Sequence, residues 1–186
     1  MRYLIISDIH GSPIYLEKVL DRFEKENFDF LVILGDVLYH GPRNPIPEGY
    51  DPKRVIALLN PLADRILACR GNCDAEVDQM MLKFACGSDY ISFTDGDITF
   101  FATHSHLYAP DHFPPAHFPK GPKQNVCLYG HSHIWQLEKQ EELILCNPGS
   151  ITLPKMENPP TYAVYENRTL SIVDFDNNIL ASLNLD

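Results

Sequence analysis

The sequence has no apolar run near the roughly 20 residues needed to cross a bilayer, and it opens without the basic, apolar and small-residue succession of a secretory signal. Neither a membrane partner nor export is expected, so the cytoplasm is the expected compartment. Cysteine is scarce and unpatterned. The five residues Cys69, Cys73, Cys86, Cys127 and Cys146 are odd in number and form no C-x-x-C pair, which excludes a closed cysteine-rich zinc site and fits reduced thiols. Cys69, Cys127 and Cys146 fall in apolar runs and read as small buried hydrophobes. Positive charge is also in deficit: 15 Lys and Arg stand against 25 Asp and Glu, a net charge of −10. A long nucleic acid would meet like charge with no basic stripe to receive it. A small phosphate ester stays compatible, because bound divalent cations invert the local potential. No Walker loop and no Ser–His–Asp pattern is present, so nothing points to a protein nucleophile. Repeats and linkers of disordered composition are absent too. With 186 residues and 45% apolar content, one domain over residues 1–186 is expected, large enough to bury a sizeable core.

What the chain does have is five short polar motifs, each following a buried-looking apolar run. They are Asp8-Ile9-His10, Gly35-Asp36, Gly71-Asn72-Cys73-Asp74, His104-Ser105-His106 and Gly130-His131-Ser132-His133. The runs before them, residues 3–6, 31–34, 66–69, 98–102 and 126–129, are short and rich in β-branched and aromatic side chains, which predicts strands. In open sheets flanked by helices, ligand sites gather beyond the carboxyl ends of strands. The five tips should therefore converge. Carboxylate, imidazole and amide oxygen form a mixed donor set suited to Mn, Fe(II), Co or Zn. Four of the eight histidines fall at proposed ligand positions.

The first half alternates strand and helix. Residues 13–26 place Ile14, Leu16, Val19, Leu20 and Phe23 at helical spacing, with Ser12 as the expected N-cap and Pro13 at N1. A second helix is expected after Asp51-Pro52 and a third over residues 76–84. Strand–helix alternation implies parallel pairing with right-handed crossovers. From about residue 90 the chain becomes strands and turns, including Asp95-Gly96-Asp97, Glu141-Glu142 and Asp176-Asn177-Asn178, and closes with antiparallel strands near 161–164, 169–175 and 179–183. Two packed sheets with helices outside are the expected architecture. Two proline-rich segments, 39–52 and 107–125 (with His112 and His117), follow motif residues and are candidates for substrate contact.

Each motif has its own chemistry. Asp8 and His10 could share one side through the i, i+2 alternation of extended backbone. Asp36 is the expected bridge, since one carboxylate offers two oxygens to two cations. Asn72 supplies a neutral oxygen, in a Gly-Asn turn open to unusual backbone angles. His131 and His133 can address two adjacent ions. Arg43 and Arg70 are candidate phosphate clamps because guanidinium matches phosphate oxygens, although Arg70 is better explained as an ion pair with Asp74. Trp135 reads as a packing residue.

The order D-x-H, G-D, G-N, H-x-H, G-H-x-H resembles the calcineurin-like metallophosphoesterase superfamily over about residues 1–153. His40-Gly41-Pro42-Arg43-Asn44, Pro47-Glu48-Gly49-Tyr50, residues 70–80 and Asn147-Pro148-Gly149-Ser150 are closer still to its small bacterial phosphodiesterases. The resemblance implies an α/β (α+β) fold of four layers, two mixed β-sheets packed as a sandwich with helices on the outer faces. It implies two divalent metal ions, Mn first with Zn, Fe, Co, Ni or Mg as alternatives. One would be held by Asp8, His10, Asp36 and His133, the other by Asp36, Asn72, His104 and His131. Hydrolysis of a small phosphodiester by a water activated between the ions follows, with Asp36 and Asn72 counted as catalytic. A phosphomonoesterase or protein phosphatase is the rival reaction; a scaffold of the same fold, like a eukaryotic retromer subunit, is the rival class. A homo-oligomer stays open.

Two departures matter. Many members carry a histidine general acid where this chain has Cys73, and a thiol of pKa about 8.5 is a poor replacement. Cys73 then becomes a candidate substrate contact and His106 the nearest alternative acid. Ser105 stands where glycine is common. Without cations, Asp8 and Asp36 are expected to repel each other and loosen the site.

Overall fold

A computed structural model describes residues 1–108, 124–140 and 143–185. Two mixed sheets face each other. The first has six strands in the order β11-β10-β9-β1-β2-β3, and the second has five in the order β4-β5-β6-β8-β7. The first contains β1 (Tyr3–Ile6), β2 (Phe30–Ile33), β3 (Ile66–Ala68), β9 (Thr161–Glu166), β10 (Thr169–Asp174) and β11 (Ile179–Asn184). The second contains β4 (Tyr90–Asp95), β5 (Ile98–Thr103), β6 (Gln124–Tyr129), β7 (Gln136–Gln140) and β8 (Leu143–Asn147). All five motif-bearing runs are strands. β1, β2 and β3 pair in parallel, as do β5, β6 and β8, so their polar carboxyl ends emerge along one edge of each sheet.

The period-two alternation of strand side chains explains the two-sided burial of β1. Tyr3 and Ile5 point between the sheets, against Phe100, Val126, Leu128 and Ile144. Leu4 and Ile6 point outward, against Leu16, Val19 and Phe23. Those last residues form the apolar stripe of α1 (Pro13–Lys25), and α2 (Pro52–Leu59) buries Val55 and Leu59 in the same layer. On the outer face of the second sheet lies a smaller cluster of Phe101, Cys127, Tyr129 and Leu145, and among the described residues no helix covers it.

Two local expectations change and one is met. Ser12 does not cap α1; its hydroxyl donates to the Glu48 carbonyl at 2.8 Å and so ties the proline-rich segment to the helix start. Asp51 does cap α2, accepting from the Arg54 N–H at 3.1 Å. The third helix, α3, is shorter than its sequence pattern, Glu76–Met81, because Leu82 turns to extended backbone and inserts with Phe84 into the core. The turn expected at Glu141-Glu142 and most of segment 107–125, with His112 and His117, lie outside the described residues. No helix among the described residues is long and apolar enough to cross a membrane.

Candidate metal centre

Strand ends bring Asp8, His10, Asp36, His104 and His133 into one buried cluster. The Asp8 Oδ1 atom lies 3.2 Å from His133 Nε2, 3.6 Å from His10 Nε2 and 4.0 Å from His104 Nε2. The Asp36 Oδ2 atom lies 3.7 Å from His10 Nε2 and 3.3 Å from His104 Nε2, so one carboxylate faces both sides of the cluster. Asn72 Oδ1 sits 3.1 Å from His104 Nε2. The His131 ring is 5.1 Å from that of His104, and its backbone N–H donates to Asp8 Oδ2 at 3.1 Å.

The three buried imidazoles are held alike. His10, His104 and His133 each turn Nδ1 onto a backbone carbonyl, of Tyr39 at 2.9 Å, Leu34 at 2.7 Å and Leu153 at 2.6 Å. A carbonyl only accepts, so each Nδ1 must carry hydrogen, and each Nε2 is left facing the centre. This is the outer-shell arrangement that fixes the tautomer of a metal-binding histidine. Asp8 is split in the same sense. Its Oδ2 accepts from Ser7 Oγ at 2.6 Å and from His131 N, whereas its fully buried Oδ1 has no hydrogen-bond partner. A buried carboxylate oxygen without a partner is costly, and a cation removes that cost. Two donor triads meet within ligand reach, Asp8–His10–His133 and Asp8–Asp36–His104, and a third includes Cys73 with His10 and Asp36. These residues fit a divalent metal.

The backbone here departs from the extended geometry expected of Asp8 and His10. Asp8, His10, Asp36, His131 and His133 are all left-handed, with φ from 49° to 71°. Such residues cost of order 1–3 kcal/mol each and persist only where surrounding contacts over-determine them. Those contacts are backbone bonds between the loops, Asp8 N to Gly35 O at 3.2 Å and His10 N to Asp36 O at 2.8 Å. Ser105 is also left-handed, at φ 76°, which is why glycine would suit that turn. At Gly71 the need is space rather than unusual angles: a Cβ there would fall into the Asp36 carboxylate. Gly130 likewise leaves room for the Ser7 hydroxyl that holds Asp8.

Asp74 does not pair with Arg70, whose guanidinium meets Asp89 at 3.0 Å instead. The Asp74 carboxylate accepts three backbone N–H groups, from Asp36 at 2.9 Å, Val37 at 2.8 Å and Gly71 at 2.7 Å. It clamps the loop that carries Asp36 to the loop that carries Asn72, a role its sequence position does not announce. Asp74→Ala would strand those donors at a cost of roughly 2–4 kcal/mol. It should lower the melting temperature and weaken metal binding, with Asp74→Asn intermediate because one acceptor oxygen survives; melting curves with metal titration check this.

The expected repulsion between Asp8 and Asp36 is present, since Asp8 acts to raise the Asp36 carboxyl, but the neighbouring histidines outweigh it. Burial alone would raise both carboxyls, but His104, His10 and His133 hold Asp8 well below the usual range, and His104 holds Asp36 below it. In return, although burial opposes charge on His104, Asp8 and Asp36 raise its pKa from 6.5 to about 9. The His104 proton thus stands where a cation would compensate the two carboxylates. His131 shifts the other way, lowered by burial, then by His104, with Arg43 adding to it, which leaves it neutral. Burial, with His104, His131 and Arg70 nearby, lowers His106 too, so at neutral pH it holds no extra proton to donate as an acid. Burial and the neighbouring Asp36 push the Cys73 thiol up to about 12; it is neither a thiolate nucleophile nor a useful acid.

Over this cluster opens a cleft of about 360 Å³. Residues of the proline-rich segment, Gly41 to Asn44, form part of its wall, and Asn72, Cys73, His131 and His133 part of its floor. Arg43 therefore lies at the site, whereas Arg70 is engaged with Asp89 and does not line the cleft. Trp135 packs against the core between the sheets.

Residues 1–169 match the family model of the calcineurin-like phosphoesterase superfamily domain. The chain belongs to that superfamily and is a metallophosphoesterase. It is 41% identical to phosphodiesterase YfcE of Escherichia coli strain K12, over 98% of this chain and 97% of that one. The solved structure of the E. coli phosphoesterase superposes with a TM-score of 0.94 at 40% identity, covering all of both chains. A probable metallophosphoesterase of Bacillus subtilis, YsnB, is 28% identical over 88% of this chain and 83% of that one. Vps29 of Entamoeba histolytica, at 17% identity and a TM-score of 0.64 with full coverage of both chains, shares the fold.

Proposed function

We propose that this superfamily member hydrolyses small phosphodiesters at a centre of two divalent cations, Mn²⁺ foremost. The observation that carries the reading is the set of three Nε2 atoms, each oriented by a backbone carbonyl, around a buried and unpartnered Asp8 Oδ1. Asp8, His10, Asp36 and His133 would hold one ion, and Asp36, Asn72, His104 and His131 the other. The neutral state of His131 and the two-sided position of Asp36 support that division. When bound, such cations supply Lewis acidity, neutralise phosphoryl oxygens and make water a competent nucleophile near neutral pH. The kinship with a protein named a phosphodiesterase favours diesters.

The chain's own contribution is orientation. Arg43 projects its charge into the cleft and would bind a phosphoryl oxygen. Asn72 offers a neutral donor beside the neutral Cys73 thiol, and a thiol held at a pKa of about 12 gives a leaving group little help. An alkoxide would therefore leave largely unassisted from this side, and activated aryl diesters are the favoured test substrates. Residues 1–186 acting as one domain, and a cytoplasmic setting, complete the reading; the five cysteines are free thiols, four of them buried.

The test is a metal-stripped sample assayed on bis-p-nitrophenyl phosphate and on p-nitrophenyl phosphate. Chelation should abolish hydrolysis, and Mn²⁺ should restore it better than Ca²⁺, which prefers all-oxygen shells. The restored enzyme should cleave the diester faster. A clear preference for the monoester would replace the diesterase by a phosphatase, and chelator-resistant turnover would end the metal mechanism.

A further inference from the structure

The chain is acidic overall, yet two cations without a carboxylate partner among the described residues stand at its cleft. Arg2, Arg22, Arg54, Arg65, Arg70 and Arg168 each engage a carboxylate. Among the described residues Arg43 has no such partner, and neither does the ammonium group of Lys155. Both side chains are exposed, and both line the cleft over the metal cluster. They arrive from separate loops. Arg43 lies in the segment anchored by the Ser12–Glu48 and Asp51–Gly11 hydrogen bonds. Lys155 follows the Ser150 turn, and its backbone N–H donates to the carbonyl of His133 at 3.1 Å. That bond fixes Lys155 beside a residue of the metal cluster.

The cleft is also larger than its chemistry at the centre requires. At about 360 Å³ it reaches the lower range of small-molecule sites, about 300–1,000 Å³, whereas a single phosphoryl group is far smaller. Its described lining is Asp36, Cys73, histidine, amide, hydroxyl and proline surface, with no Phe, Tyr, Trp, Leu, Ile or Val. Among the described residues that line it, no Phe, Tyr or Trp is placed to stack on a nucleobase. What the charged side chains of that lining add beyond the cluster is two cations, Arg43 and Lys155.

We infer that Arg43 and Lys155 form an anion subsite beside the metal centre, and that the preferred substrates are compact diesters bearing a second anionic group, a phosphate or carboxylate, on the ester arm that does not leave. This rests on the diesterase reading above. The metal centre would take the reacting phosphoryl group, and the two cations would take the second anion. Against a net charge of −10, a local pair of cations is what allows a multiply charged ligand to dock in that orientation.

A matched pair of substrates tests this, methyl p-nitrophenyl phosphate and 2-phosphonoethyl p-nitrophenyl phosphate. Both release the same phenolate, so the chemistry at the leaving group is constant. The Mn²⁺-loaded wild type should favour the phosphonoethyl ester by about tenfold or more in kcat/KM, the scale of one charge-assisted contact. The preference should reside in KM and shrink as ionic strength rises. Lys155→Ala and Arg43→Ala should each cut that ratio several-fold, and Lys155→Arg should largely restore it. Competitive inhibition by 1,2-ethylenediphosphonate, compared with methylphosphonate, should weaken in parallel in the alanine variants. A wild-type ratio near one, or a ratio retained in both alanine variants, overturns the subsite while leaving the diesterase reading intact. Failure of the wild type to cleave either ester defeats that parent reading and the subsite with it.

Discussion

Asp36→Ala is expected to reduce hydrolysis by about a hundred- to a thousandfold and to remove most of the metal-dependent stabilisation of the fold. Asp36 Oδ2 is near both His10 and His104, and Oδ1 accepts the Cys73 N–H at 2.8 Å. The alanine would therefore cost both proposed ions a ligand and free the turn that presents Asn72. For the wild type, a cation at 100 times its Kd stabilises the folded state by about 2.7 kcal/mol, because it binds the native chain and not the unfolded one. The metal-free variant should not gain stability from relief of carboxylate repulsion. Asp36 is paired with His104 at 3.3 Å in this structure, so its removal leaves a buried imidazolium with less compensation. Thermal melting of both proteins with and without Mn²⁺ separates these effects. An identical metal-induced shift in the two would mean that the cation binds elsewhere.

Metal affinity should rise steeply with pH between neutrality and about pH 9. Ligation needs a lone pair on His104 Nε2, but the folded, metal-free protein holds a proton there until about pH 9. Each unit below that value should cost about tenfold in apparent affinity through this proton alone, so about a hundredfold separates pH 9 from pH 7. His10, raised by Asp8 and its Tyr39 carbonyl against the effect of burial, steepens the dependence at lower pH. The sign for the metal-free fold is opposite. A pKa raised from 6.5 to about 9 means that the stability contributed by His104 is fully present below about pH 6.5 and lost as pH rises through 9. Asp8, with its pKa depressed, contributes above its unfolded value, and that part is lost as pH falls through the folded one. The metal-induced rise in melting temperature should accordingly grow with pH. Calorimetric titration in buffers of different ionisation enthalpy should count about one proton released per chain at pH 7 to 8. A flat Kd between pH 7 and 9 with no proton release contradicts the protonated site. Residue types alone place this window lower, near the ordinary histidine pKa of about 6.5; the burial of His104 between two carboxylates moves it up.

The sequence by itself determined where the strands end and which donors stand on them. Buried strands are written locally, as short β-branched runs such as Leu31 to Leu34, and a polar tip after each run is visible without knowing what it meets. The gathering of Asp8 with Asp36, and of His104 with His131, could be read in the same way, because parallel strands deliver their carboxyl ends to one edge of a sheet; the packing of the two sheets then brought the edges together. Only the tertiary structure decided how those tips are held. The left-handed backbone at Asp8, His10 and Asp36 follows from hydrogen bonds between the β1 and β2 loops. The imidazole tautomers follow from the carbonyls of Tyr39, Leu34 and Leu153, and the spacing of the Asp36 and Asn72 loops from the Asp74 carboxylate. Arg70 turned to Asp89 and Ser12 to Glu48 for the same reason. Most of these contacts reach backbone atoms that every residue shares, so the identity of the partner leaves no mark in the amino-acid order and is set only when the loops fold against one another.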